Sequence, residues 1–169
     1  MIHETCNTIE ETISTAMKIT FDWGNGISDL TEDVWYRGSK DCHDLLPSAY
    51  WQDVDELSAT ILFNQMVRNI TDTRDFNAWD YYCLARHHAI PTRLLDWTEG
   101  FIQALFFAFD GWAGMTQPCI WMLRPHLLNK ESINDPGIIA PWGNRNFSER
   151  AVDIWLPPIE EKTATVKGI

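Results

Sequence analysis

The chain has 169 residues and a formal net charge of −11. That length holds one domain with a single sizeable core, and that charge repels phosphate backbones, which argues against nucleic acid as a partner. Cys6, Cys42, Cys83 and Cys119 make no C-x-x-C pair, and no run approaches the about 18 apolar residues of a membrane span, which argues against a zinc knuckle, a thioredoxin-like centre or a membrane helix.

His3 and Glu4 interrupt any apolar leader, so a reduced cytoplasmic setting is expected. From Thr5 to Ile19, Ile9, Ile13 and Ala16/Met17 recur at helical spacing and predict an amphipathic helix. Gly24-Asn25-Gly26 predicts a turn. Val34-Trp35-Tyr36 then reads as a short strand ended by Gly38. Lys40 to Gln52 reads as irregular, broken at Pro47. A second helix is predicted from Asp55, a natural N-cap, to Ile70, with Leu57, Ile61, Phe63/Asn64 and Met66/Val67 on a helical period. A third spans Phe76 to His88, with Trp79, Tyr82/Cys83 and Arg86 on one side, and Pro91 ends it.

Arg93 to Asp96 reads as a strand or extended segment. Asp96-Trp97-Thr98-Glu99 has the form of a capping box. It would head a helix to about Phe109 that is apolar nearly all round and so expected to be central. Cys119 to Leu123 reads as a buried strand, and Asp153 to Leu156 as another before Pro157-Pro158. The order of elements predicts an α+β fold: N-terminal helices packed on a small mixed or antiparallel sheet, with a buried central helix. The chain 1–169 reads as a single domain. Each of the nine Trp is expected in the core by default, with a ligand platform or a partner surface as the alternative.

Two stretches carry the candidate chemistry. In Trp35-Tyr36-Arg37-Gly38, a bulky strand runs into a guanidinium at a sheet edge, a planar fork of donors suited to carboxylate or phosphate. The alternative is a structural ion pair between Arg37 and one of the 24 acidic residues. The second stretch runs from Arg86 to Trp97, where polar groups crowd against a helix that reads as buried and must find partners. His87 and His88 point about 100° apart on a helix and do not suit one metal ion, so no metal ligand set is expected. One of them is a candidate general acid or base, and the other a C-terminal cap of its helix. Asp96 has a simple role as an N-cap neutralised by Arg93. No phosphate-binding glycine loop, nucleophile elbow or metalloprotease helix occurs.

Taken together, these stretches resemble the FRG domain family. Tyr36-Arg37-Gly38 is similar to the tripeptide that names it, and Leu45-Leu46-Pro47-Ser48 to the Leu-x-Pro-Ser step that follows. Ala85-Arg86-His87-His88-Ala89-Ile90-Pro91-Thr92-Arg93-Leu94-Leu95-Asp96-Trp97-Thr98 resembles the family's strongest block, roughly A-Q-H-Y-G-L-P-T-R-L-L-D-W-T. Ala104-Leu105-Phe106-Phe107-Ala108 resembles the A-L-x-F-A that continues it, and Ile120 to Pro125 with Leu128-Asn129 the later strand and turn. The resemblance covers about Trp35 to Asn129. Arg86 stands at a Gln position, His88 at an aromatic one and Ala89 at a Gly, which makes His87 the better functional imidazole. No Gln-x-Gly-x-Phe-like segment precedes Ile169, which by the resemblance implies either an abbreviated domain or a missing site element.

The family is common in bacterial and phage-related proteins, and its name supplies no reaction. A strand ending in (Tyr/Phe)-Arg-Gly also resembles the opening of ADP-ribosyltransferase folds. By that analogy NAD is the candidate cofactor. Arg37 would hold its diphosphate, Trp35 or Tyr36 would stack on a ring, and His87 would contact a ribose hydroxyl. Arg93 and Trp97 complete the candidate cofactor site, with His87 and Arg37 as candidate catalytic residues. The late Glu that such folds use has weak candidates in Glu149, Glu160 and Glu161. The second reading is a non-catalytic, acidic regulator that binds a protein partner in a phage or phage-defence setting. Metal-dependent hydrolysis through His87 and Asp96 ranks last, because no ligand spacing supports it.

Overall fold

The Val34-Trp35-Tyr36 run becomes strand β1 (Trp35–Ser39), carried three residues further than its aromatic part. Its partner is the other bulky run, β2 (Cys119–Leu123), and the two form an antiparallel ladder that sets Tyr36 opposite Met122, Arg37 opposite Trp121 and Gly38 opposite Ile120. A computed structural model describes residues 3–24, 34–42, 44–52, 54–70 and 72–137. The expectations at Asn25-Gly26, at Asp153–Leu156 and at Glu149, Glu160 and Glu161 lie outside these residues.

Six helices accompany the ladder among the described residues: α1 (Ile9–Gly24), α2 (Ser48–Trp51), α3 (Glu56–Val67), α4 (Ala78–His87), α5 (Phe101–Phe109) and α6 (Pro125–Ile133). The described residues make an α+β fold with one small antiparallel sheet, on which α5 packs, while α3 packs on α4. No helix among the described residues is long and apolar enough to cross a membrane.

Successive side chains of a strand alternate between faces, and here the alternation decides everything about β1. Tyr36 and Gly38 face α5. Val34, Tyr36 and Ala104 form a buried cluster, with Trp23, Phe101, Ile120 and Met122 packed on it. Gly38 allows the close approach: a Cβ there would lie 1.8 Å from the carbonyl oxygen of Ala104 and 2.7 Å from the amide nitrogen of Ala108. Small residues on the helix and glycine on the strand bring the two backbones nearly into contact. Arg37, between Tyr36 and Gly38, is thereby turned to the other side.

The helix ends follow their caps. Asp55 caps α3 as expected, accepting from the Leu57 amide at 3.2 Å. Asn77 opens α4 in a reciprocal capping box with Asp80, one residue after the predicted start. At the other end, the Ala89 amide donates to Arg86 O and the Ile90 amide to Ala85 O, both at 3.0 Å, with Ala89 at φ +60°. This is a Schellman stop with its left-handed residue at Ala89.

Several expectations change. The Asp96–Glu99 capping box does not form, because Asp96 is held elsewhere and α5 starts after Gly100. Thr98 instead bridges to Tyr36 through paired amide–carbonyl bonds of 2.7 and 2.9 Å, on the edge of β1 away from β2. The buried stripe of α3 is Thr60, Asn64 and Val67, while Leu57 and Ile61 are exposed. α5 buries Ala104 and Ala108 against β1, but Ile102, Phe106 and Phe107 on its outer side are exposed. The segment after Pro47 is a short helix rather than irregular, and the turn expected around Leu128-Asn129 is part of α6. Among the described residues no Trp is fully buried, against the default for indoles.

Candidate functional site

Arg37 leaves β1 on the side away from α5, where the extended segment after Arg93 runs past it. Its Nη1 donates to the Asp96 carbonyl oxygen at 2.7 Å. The Asp96 carboxylate takes a different arginine: Arg86, near the end of α4, approaches one oxygen through Nε at 2.9 Å and Nη2 at 2.5 Å. Arg86 also donates through Nη1 to Ser48 Oγ at 3.3 Å. Two guanidiniums thus converge on one residue, Arg86 on the Asp96 carboxylate and Arg37 on its backbone carbonyl. Burial pulls the Arg37 pKa below the ordinary arginine value; Asp96 opposes this and Arg86 adds to it. A cation held against desolvation and a like charge is a place where an anion gains most.

Ser48 ties this cluster to the turn that ends α4. Its Oγ accepts from the Thr92 amide at 3.2 Å and donates to the Thr92 carbonyl at 3.3 Å, while the Ala49 amide reaches that same carbonyl at 3.2 Å. Leu-Pro-Ser is therefore a clamp: Pro47 sets the turn into α2, and Ser48 pins Pro91-Thr92 beneath it.

Arg93 faces the other way. It forms an ion pair of 2.8 Å with Glu56 at the start of α3, with side chains 17% and 15% exposed. Its amide donates to Tyr82 Oη at 2.7 Å and to Glu56 Oε1 at 3.1 Å, and the Tyr82 hydroxyl donates to that same Glu56 oxygen. Burial first, then the Glu56 hydrogen bond, pushes the Tyr82 phenol well above its usual range and keeps it protonated. Arg93 neutralises Glu56, not Asp96 as the sequence suggested.

Beside the Arg37 cluster, Trp35, Leu95, Trp97, Thr98, Glu99, Gly100 and Gln103 line an open groove of about 530 Å³. Trp35 Nε1 is buried without a hydrogen-bond partner among the described residues, so one wall of the groove keeps an unsatisfied donor. Tyr36 is turned inward. Its ring meets Phe101 edge-on, and its hydroxyl lies 3.0 Å from Thr20 Oγ1.

Residues 32–114 match the family model of the FRG domain. This chain is an FRG-domain protein. No curated protein and no solved structure matches it. The matched residues take in Tyr36-Arg37-Gly38, Ser48, the Arg86–Trp97 segment and α5; the strand β2 and helix α6 follow beyond them.

Of the predicted site residues, the structure gathers Arg37 and Trp97 around the FRG domain's Asp96 segment. Tyr36 belongs to the core, and Arg93 to the Glu56 pair. His87 is the last residue of α4, exposed, with its ring edge-on to His88 at 5.7 Å, and no described hydrogen bond joins it to Arg37. His88 leans on Phe63 at 5.6 Å, filling the aromatic position with an imidazole. Among the described residues no group of three or more His, Cys, Asp or Glu is placed to hold a metal ion. Arg86, Ser48 and Gln103 were not among the predicted site residues. Arg86 had announced itself as a charge at a glutamine position, but Gln103 carries no sequence signal.

Proposed function

We propose that this FRG domain binds an anionic nucleotide of the NAD or ADP-ribose class, with the diphosphate at Arg37 and a ring in the Trp35–Trp97 groove. The observation that supports it most is the pair of guanidiniums converging on Asp96, Arg86 on its carboxylate and Arg37, its pKa lowered by burial, on its backbone carbonyl, beside an indole-lined groove in an otherwise acidic chain. The groove volume suits a small-molecule site. The residues fit such a ligand: planar charged forks for phosphate oxygens, indoles for a ring, and the Trp35 N–H for an acceptor. The reading leaves His87 outside, because nothing described draws it toward Arg37.

A reaction class goes with this reading. Cleavage of the nicotinamide–ribose bond develops positive charge on the ribose, and Glu99 is the groove carboxylate that would offset it. Calorimetric titration of NAD and ADP-ribose into the full chain tests the binding step. Micromolar heat that disappears in Arg37→Ala, with circular dichroism unchanged, is the expected outcome. No heat from the folded wild type removes the nucleotide reading.

A second reading draws on α5. Ile102, Phe106 and Phe107 are exposed on its outer side, and exposed apolar side chains clustered on one face commonly mark partner sites. This supports a regulator that engages another protein. Substituting Phe106 and Phe107 by Ser would then abolish partner capture while leaving nucleotide heat intact.

A further inference from the structure

The cysteines are scattered in sequence, yet folding brings two of them together. Cys119 opens β2 opposite Ser39, the last residue of β1. Just past that end the chain turns back: Ser39 Oγ donates to the Asp41 carbonyl oxygen at 2.7 Å, and the Cys119 thiol lies 3.9 Å from the same oxygen. Cys42 follows Asp41 directly, so the chain brings its thiol beside that of Cys119. Both are free, Cys42 exposed and Cys119 half-buried. Cys6 and Cys83 lie elsewhere, Cys6 against Thr15 Oγ1 at 3.6 Å on α1 and Cys83 on α4.

We propose that Cys42 and Cys119 form an oxidisable dithiol that closes to a disulfide under peroxide. The two thiols have unlike roles. Burial, then the neighbouring Cys42 thiol, pushes Cys119 up to about 12, so it is not the sulfur that meets oxidant first. Cys42 is the solvent-facing one. Its thiolate attacks a peroxide oxygen, the O–O bond breaks, and Cys42 becomes a sulfenic acid with loss of hydroxide. The Cys119 sulfur then attacks the Cys42 sulfur, the S–O bond breaks, and the oxygen leaves as water with the Cys119 proton. Two thiols and one peroxide give one disulfide and two waters. The bond staples the end of β1 to the start of β2, just beyond Arg37, whose guanidinium is within electrostatic reach of Cys119.

The test is hydrogen peroxide treatment of the full chain, followed by intact mass and non-reducing peptide mapping. The wild type should lose two hydrogens, map a single Cys42–Cys119 link, and regain both hydrogens with dithiothreitol. Cys83→Ser should behave as wild type. Cys119→Ser should lose the link and leave Cys42 as a sulfenic acid that dimedone captures, whereas the wild type captures little. A link through Cys6 or Cys83, or oxidised wild type with Cys42 unlinked and dimedone-labelled as heavily as the variant, overturns the proposal. The wild-type map decides even where a variant folds poorly.

Discussion

Two arginine–carboxylate pairs lie within one short stretch of this chain, and they do opposite things. Arg93–Glu56 is largely buried on both sides, with the Arg93 side chain on one Glu56 oxygen and Tyr82 and the Arg93 amide on the other. Arg86–Asp96 has side chains 21% and 65% exposed, and a second guanidinium, Arg37, rests on the same residue's carbonyl. A buried pair with its remaining sites satisfied is scaffold, since removing one member strands a charge in low dielectric. An exposed pair contributes little to stability and can exchange partners. The FRG block therefore contains both a lock, which joins α3 to the turn after α4, and an open charge cluster whose Asp96 adjoins the groove residues Leu95 and Trp97 in sequence.

Substitutions sharpen that contrast, beginning with the lock. Glu56→Ala strands Arg93 and should cost about 3–5 kcal/mol, read as a large fall in the urea midpoint. Gly38→Ala tests the seam that aims Arg37 outward; with 1.8 Å to the Ala104 carbonyl, it should cost about 3 kcal/mol. Ala89→Gly relieves a left-handed backbone at the end of α4 and should stabilise the chain by about 1 kcal/mol, seen as a higher Tm. Asp96→Asn should change stability by less than about 1 kcal/mol while tightening ADP-ribose a few-fold, because Arg86 loses its paired carboxylate and Arg37 a nearby negative charge. Equal destabilisation by Asp96→Asn and Glu56→Ala would erase the distinction between lock and cluster.

The smallest effect is one of pH. The Ser58 hydroxyl, and then the helix amides, depress the Asp55 pKa below 3.8 in the folded chain. Its contribution is thus present above the unfolded value and is lost as pH falls through the lower folded one. Asp55→Asn keeps a good cap without the titration. Its stability should fall less steeply than wild type below pH 3.8, as followed by circular dichroism in urea.

Local signals read well. Asp55 as a cap, the stop before Pro91 and the Cys119–Leu123 strand are each written in a few adjacent residues. What failed depends on distant partners. Thr60 and Asn64 line the buried side of α3 while Leu57 faces out, an assignment that periodicity of apolar residues cannot make. Asp96 looked like a helix cap because the four-residue pattern fits one, but Arg86 claims it across the fold. Composition could not tell which side of α5 would be covered, since apolar residues occupy both. The sequence named Arg37 and Trp97 as candidates, but what brings their segments together, the Tyr36–Thr98 bridge and the Gly38 approach, depends on distant partners.

The central claim is that Arg37 and the Trp35–Trp97 groove form a single nucleotide site. Nitrogen-15 labelling of tryptophan gives each of the nine indoles its own N–H resonance. Titration with ADP-ribose should shift the signals of Trp35 and Trp97 more than the rest, and Arg37→Ala should abolish those shifts while preserving the free spectrum. Saturating ligand that leaves both signals in place, or shifts that persist in Arg37→Ala, would contradict it.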